Sequence, residues 1–186
     1  KPLTITRSHV KPTAALQYAE NVYIDLSEDG WSNSYIVNEP GMYSFDATVI
    51  GNGEFGIVQN SGFHTTDPHI SPVKAELLWT DRDNVVSAPV LVNGQVSFYA
   101  MGTEGNALIA VKDDGGNILW SWHIWVTDQP VDHVYKNNYG TFTVMDRNLG
   151  AVRNDRGATD SDWIDAMGVL YQWGRKDPFT GTFENS

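Results

Sequence analysis

Residues 106–128 read Asn-Ala-Leu-Ile-Ala-Val-Lys-Asp-Asp-Gly-Gly-Asn-Ile-Leu-Trp-Ser-Trp-His-Ile-Trp-Val-Thr-Asp. Two arms rich in aliphatic and aromatic residues flank Asp113-Asp114-Gly115-Gly116, the composition of a β-hairpin with a tight turn. Strand alternation divides the second arm into two faces. Ile118, Trp120, Trp122, Ile124 and Val126 form a wholly apolar face, which is expected to be core. Leu119, Ser121, His123, Trp125 and Thr127 form the other. That face is mixed, but Leu119 and Trp125 on it require a second covering layer. The chain after residue 130 carries Val134, Tyr135, Phe142, Val144, Trp163, Met167, Leu170 and Trp173. It has too many apolar groups for a free tail, so it is expected to fold back over this face and bring Trp125 against residues beyond 140.

The pattern of short strands and turns continues outward from the hairpin. Residues 22–26, 31–37, 42–50, 75–80 and 141–145 read as strands, and residues 85–92 and 95–100 as a hairpin around Asn93-Gly94, a type I′ signal. Tyr43, Phe45 and Ala47 share one face of their strand. Residues 52–72 are rich in Gly, Asn, Ser, Asp and Pro and read as a long loop. Asn137-Asn138-Tyr139-Gly140 is a turn. Residues 160–171 are the helical candidate, with Trp163, Ile164, Met167 and Tyr171 at helical spacing and Gly168 weakening the end. The fold class is therefore mainly β: an antiparallel β-sandwich followed by an irregular, partial α+β C-terminal segment. The expected organisation is a leader or edge strand over 1–20, including Thr4-Ile5-Thr6. A sandwich follows over 21–130, and an accessory segment packed on it over 131–186.

Composition narrows the function. The chain of 186 residues has 12 Lys plus Arg against 23 Asp plus Glu, a net charge of −11. A polyanion of this kind repels nucleic acid and anionic membrane surfaces, so neither is expected as a partner. No apolar run is long enough to span a bilayer. Cysteine is absent, which excludes disulfides, thiolate zinc sites and a cysteine nucleophile. The 22 aromatic residues, 17 Gly and 8 Pro suit an all-β domain with many turns. The first residue is Lys1, which reads as a processed or trimmed start.

Two sets of strings resemble known families. Ser34-Tyr35-Ile36-Val37, Pro40-Gly41-Met42-Tyr43-Ser44-Phe45, Gly105-Asn106-Ala107 and Ile118-Leu119-Trp120-Ser121-Trp122-His123-Ile124-Trp125 resemble the β-sandwich of Bacteroidetes fimbrillin-like surface proteins. Met145-Asp146-Arg147-Asn148-Leu149-Gly150-Ala151 and Tyr171-Gln172-Trp173-Gly174-Arg175-Lys176-Asp177-Pro178 resemble the start of the Fibrobacter succinogenes major paralogous domain, which is similar to C-type-lectin-like folds. That domain runs beyond the position of Ser186, so the second module is expected to be partial. The resemblance implies export and display at the cell surface or outer membrane, with lipid anchoring through a removed N-terminal segment as one route. It implies adhesion as the general role and supplies no catalytic residues.

Several side chains are candidate contacts. His123 and Trp125, on the mixed face, are read either as packed residues or as ligand contacts. Trp173 and Arg175 are a candidate sugar-stacking pair, as are Trp31, Trp79 and Trp163 singly; the alternative for each is core. Asp155, Asp160 and Asp162, with Asn154, form a run with some calcium character but without EF-hand spacing or a closing Glu. Asp81, Asp83 and Asn84 are a weaker run. His64 and His69, with Asp67 between them, lack a third zinc ligand. No phosphate loop or Gly-x-Ser-x-Gly is present, and no cofactor is expected. Three functions remain open. The first is a non-enzymatic, adhesive or fimbrial-like module whose partners are other surface or fimbrial subunits. The second is a module binding host or dietary glycans, and the third, a hydrolase, has no residues to name.

Overall fold

The computed structural model describes residues 22–53 and 67–180. The leader over 1–20, His64 and most of the loop over 52–72 lie outside the described residues. The chain is mainly β. Its strands are β1 (Ile24–Asp25), β2 (Ser34–Val37), β3 (Gly41–Asp46), β4 (Lys74–Thr80), β5 (Val90–Val92), β6 (Gln95–Ala100), β7 (Gly105–Lys112), β8 (Ile118–Val126), β9 (Asp132–Asn137) and β10 (Gly140–Met145). A helix, α1, spans Asp160–Met167.

Two four-stranded sheets face each other, one in the order β1-β3-β6-β5 and the other β2-β8-β7-β4. The hairpins are where the turn residues place them. Asn93 and Gly94 both have positive φ, 51° and 83°, as a type I′ turn requires. β7 and β8 pair through eight register positions around the Asp113–Gly116 turn.

Both sheets are mixed, which corrects the expected antiparallel arrangement. β1 runs parallel to β3 and β2 parallel to β8. The chain lays β1 in the first sheet, crosses to place β2 in the second, and returns for β3. Two reversals bring β3 back to the direction of β1. Residue alternation carries no record of this, because it is the same for either strand direction.

The core fills the space between the sheets. Tyr35, Tyr43, Phe45, Phe98, Ile109, Trp122, Ile124 and Val126 all belong to one buried cluster. The Phe45 ring lies 5.0 Å from Trp122 and 5.5 Å from Tyr35. Truncating a fully buried aromatic of this size costs roughly 3–5 kcal/mol.

Three residues of β8 depart from simple alternation. Ile118 is about half exposed because the strand end overshoots the core. Trp120 is only partly buried, with its indole N–H donating to Asn33. Leu119, expected on the outer face, packs against the core cluster. The register shifts between Val111 and Lys112, leaving Leu119 opposite no residue of β7. An extra residue at a bulge reverses the facing of its neighbours.

β9 was not evident from residue pattern. It pairs with β10 in a separate two-stranded sheet, continuing from Asp132↔Met145 to Asn137↔Gly140. α1 is shorter than the expected 160–171. It stops at Met167 because Gly168 takes φ 76°. Its start is a capping box: Thr159 accepts from the Asp162 amide, and the Asp162 carboxylate accepts from the Thr159 amide.

Candidate ligand-binding site

The outer face of the second sheet is closed. Ser121, His123 and Trp125 from β8, Thr127 just after it, and Asn106 and Leu108 from β7 are all nearly inaccessible. The polar groups of Asn106, Ser121 and Thr127 bond to the segment beyond residue 145, and three clusters make the junction.

The first is built on Asn106. Its Nδ2 donates to Asp81 Oδ2 at 2.6 Å and to the Gly150 carbonyl at 2.8 Å. This fixes the amide orientation, so Oδ1 is the acceptor 2.9 Å from His123 Nε2. The imidazole proton therefore sits on Nε2, and Nδ1 accepts from Ser34 Oγ at 3.4 Å. Burial pushes the His123 pKa down to about 4, with Asp177 opposing it weakly. His123 is a neutral bridge between β2, β7 and β8, not a surface contact.

The second joins Lys176 and Asp177 to Ser121. Lys176 Nζ donates to the Ser121 carbonyl and hydroxyl, both at 2.8 Å, and to Asp177. Ser121 Oγ donates to Asp177 Oδ2 at 2.7 Å. The ammonium also lies 4.5 Å from the Trp120 ring centre. Burial lowers the Lys176 pKa and the Asp177 carboxylate draws it back up.

The third is Arg147. It forks onto Asp146 through Nε and Nη2, at 2.9 and 3.0 Å, with both side chains buried. Its Nη1 donates to Thr127 Oγ1 at 3.1 Å and to Asp128. The guanidinium holds the Asp146 carboxyl far below the usual carboxylate range. A fourth contact, Arg82 to Asp165 at 2.5 Å, ties α1 to the turn after β4.

The candidate residues thus separate. His123 and Trp125 are buried together in the junction. The Trp125 indole N–H finds no acceptor among the described residues. Trp173 and Arg175 do not stack on each other. The Trp173 side chain stands fully in solvent, 101% exposed, whereas the Arg175 guanidinium lies 5.4 Å from the Phe179 ring centre. Trp31 is partly exposed and donates to Asp46. Trp79 is partly buried at a bulge in β4.

The acidic run is also divided. Asp155 pairs with Arg153 at 2.7 Å, and Asp162 pairs with Arg153 at 2.5 Å while capping α1. Asp160 lies exposed in the first helical turn. His69 bonds Asp67 at 2.7 Å. Among the described residues, no three acidic or histidine side chains are placed to hold a metal ion.

One surface concavity combines an aromatic with unsatisfied charge. An open basin of about 380 Å3 lies between the 146–156 loop and α1 and includes Asn148, Arg153, Asn154, Arg156 and Trp163. Arg156 sits 5.9 Å from the Trp163 ring centre and has no carboxylate partner among the described residues. The basin is lined by three arginines, of which Arg147 and Arg153 are neutralised by aspartates, so Arg156 is its guanidinium without a carboxylate. Trp163 remains about half exposed beside it. The sequence marked Trp163 but not its companion, because Arg156 lies in an irregular loop with no period to follow.

Family models, curated proteins and solved structures give no match to the chain. The site must be judged on its own chemistry. Ser121, His123, Lys176 and Asp177, residue types that can serve catalysis, are used in the junction. Ser121 is covered and donates to a carboxylate, and its neighbouring lysine is a donor, not a base. Nothing there presents a nucleophile to a substrate.

Proposed function

We propose that the chain is a non-enzymatic surface-display module with an adhesive or fimbrial-like role. The observation that supports this most is the contrast across the C-terminal segment. Its inner side carries the polar groups that fasten it to β7 and β8, while its outer side holds Trp173 fully in solvent. Exposed tryptophan is a frequent anchor of protein interfaces because it offers a large area for little conformational entropy. Export and surface location belong to this reading and follow the fimbrillin-like resemblance.

The glycan-binding reading is favoured by a different observation, the Arg156–Trp163 basin. An indole beside amide and guanidinium donors is suited to a pyranose ring, whose apolar face stacks while its hydroxyls bond. A glycan array and a protein-coated adhesion surface, each probed with the parent, Trp173→Ala and Trp163→Ala, separate the two. Adhesion lost in Trp173→Ala without a glycan signal supports the first reading. A glycan signal lost in Trp163→Ala supports the second. Binding to neither surface contradicts both.

A further inference from the structure

The β9–β10 hairpin stands apart from both sheets. Neither strand makes a substantial contact with another strand or with α1. All six residues of β9 are exposed, Val134 and Tyr135 by 67% and 60%. Directly opposed residues of an antiparallel pair share a face. His133, Tyr135, Phe142 and Val144 therefore form one side of the hairpin. A two-stranded ribbon with an aromatic side left in water is marginal by itself.

Its edges are also unguarded. The other free edges are short or interrupted: β1 has two residues, β5 three and β2 four, while β4 carries a bulge. β9 offers six residues with no proline and no bulge, and no strand lies on its outer edge among the described residues. Such an edge is a template for another strand.

The sequence of β9 says which strand fits. We propose that β9 pairs antiparallel with β9 of a second copy of this chain, around a two-fold axis at Val134. Residues 132–136 read Asp-His-Val-Tyr-Lys. In this register Asp132 faces Lys136 of the second copy, and the symmetry repeats the ion pair. His133 faces Tyr135 of the second copy, also twice, and Val134 meets its own equivalent. Shifting the register by one or two residues sets Asp132 and Lys136 against apolar or neutral groups, so the charges specify one alignment. The β10 edge, Gly140–Met145, carries no charge to set a register. The product is a four-stranded sheet, β10-β9-β9-β10, with its aromatic side continuous across the axis. This is an isologous contact, closed at two copies.

The contact is small, so the dimer is weak and concentration-dependent. The −11 charge on each copy opposes it at long range, but screening at physiological salt confines that repulsion to about 8 Å. The inference stands on the hairpin alone and does not depend on the adhesive reading.

Sedimentation equilibrium on the full chain, over a series reaching millimolar concentration, tests it with two charge variants. Asp132→Lys and Lys136→Asp each place like charges in opposition and should weaken self-association at least about tenfold. Mixing the two should restore association. The first variant carries lysine at both positions and the second carries aspartate at both, so every opposed pair in the mixed dimer joins unlike charges. Circular dichroism matching the parent confirms that each variant folds. The proposal is overturned if the parent stays monomeric throughout, whether the edge is open or covered by another segment of the chain. It is equally overturned if either variant associates like the parent, or if the mixture does no better than its components.

Discussion

His123 shows how burial determines what a residue can do. Its ring lies between Asn106 and Ser34, neutral, with its pKa lowered to about 4. In the unfolded chain the same ring titrates near the ordinary value of about 6.5. The unfolded state therefore takes up a proton first as pH falls, and the folded state loses relative stability between about pH 6.5 and 4. Above that window the contribution is fully present, and below it no more is lost. The shift corresponds to about 3 kcal/mol. Urea unfolding at pH 7 and pH 4.5 should show most of that decrease in the parent and a much smaller one in His123→Gln. An equal decrease in both would assign the acid sensitivity to carboxylates. The sequence raised two roles for His123 and could not choose. The choice depends on Asn106, which lies 17 positions away and reaches His123 only because β7 and β8 are paired.

Elements were legible where a local signal defined them. Asn93-Gly94 and Asp113–Gly116 mark their hairpins, and the helical spacing of Trp163, Ile164 and Met167 marks α1, although its cap, Thr159, was not singled out. β9 lacked such a signal, because Asp-His-Val-Tyr-Lys has little alternation of polarity. The parallel pairings of β1 and β2 were beyond reach, since they depend on the path between sheets. The end of α1 offers a test of how closely its segment is seated. Gly168 has φ 76°, and a Cβ there would sit 2.2 Å from the Leu149 carbonyl oxygen. Gly174 has φ 81° but no neighbour within 4 Å. Gly174→Ala should cost only the backbone term of about 1 kcal/mol, whereas Gly168→Ala should cost more than about 2 kcal/mol by forcing the 149–151 loop away. Thermal melts of the two variants give the comparison. Equal losses would mean that the two loops are not packed as described.

At the scale of the whole molecule, the central feature is a sandwich whose second sheet is covered on both sides. The need for a cover was legible in Leu119 and Trp125, although only Trp125 proved to face it. The means of attachment was not. Lys176, Asp177, Arg147 and Gly150 come from irregular chain, and each meets its partner across a long sequence separation. Two consequences follow for the molecule. The sandwich and the segment after residue 145 should unfold together, and the outer face of β7 and β8 should not tolerate exposure. Ending the chain after Asp128 tests this most directly. It removes every partner of Ser121, Asn106 and Thr127 beyond that point and uncovers Trp125 and Leu108. It also removes the β9–β10 hairpin, so any association of the shortened chain arises from the bared sheet. The shortened product should aggregate or associate, bind a hydrophobic dye and melt well below the parent. A shortened chain that remains monomeric, binds no dye and melts with the parent would contradict a second sheet covered on both sides.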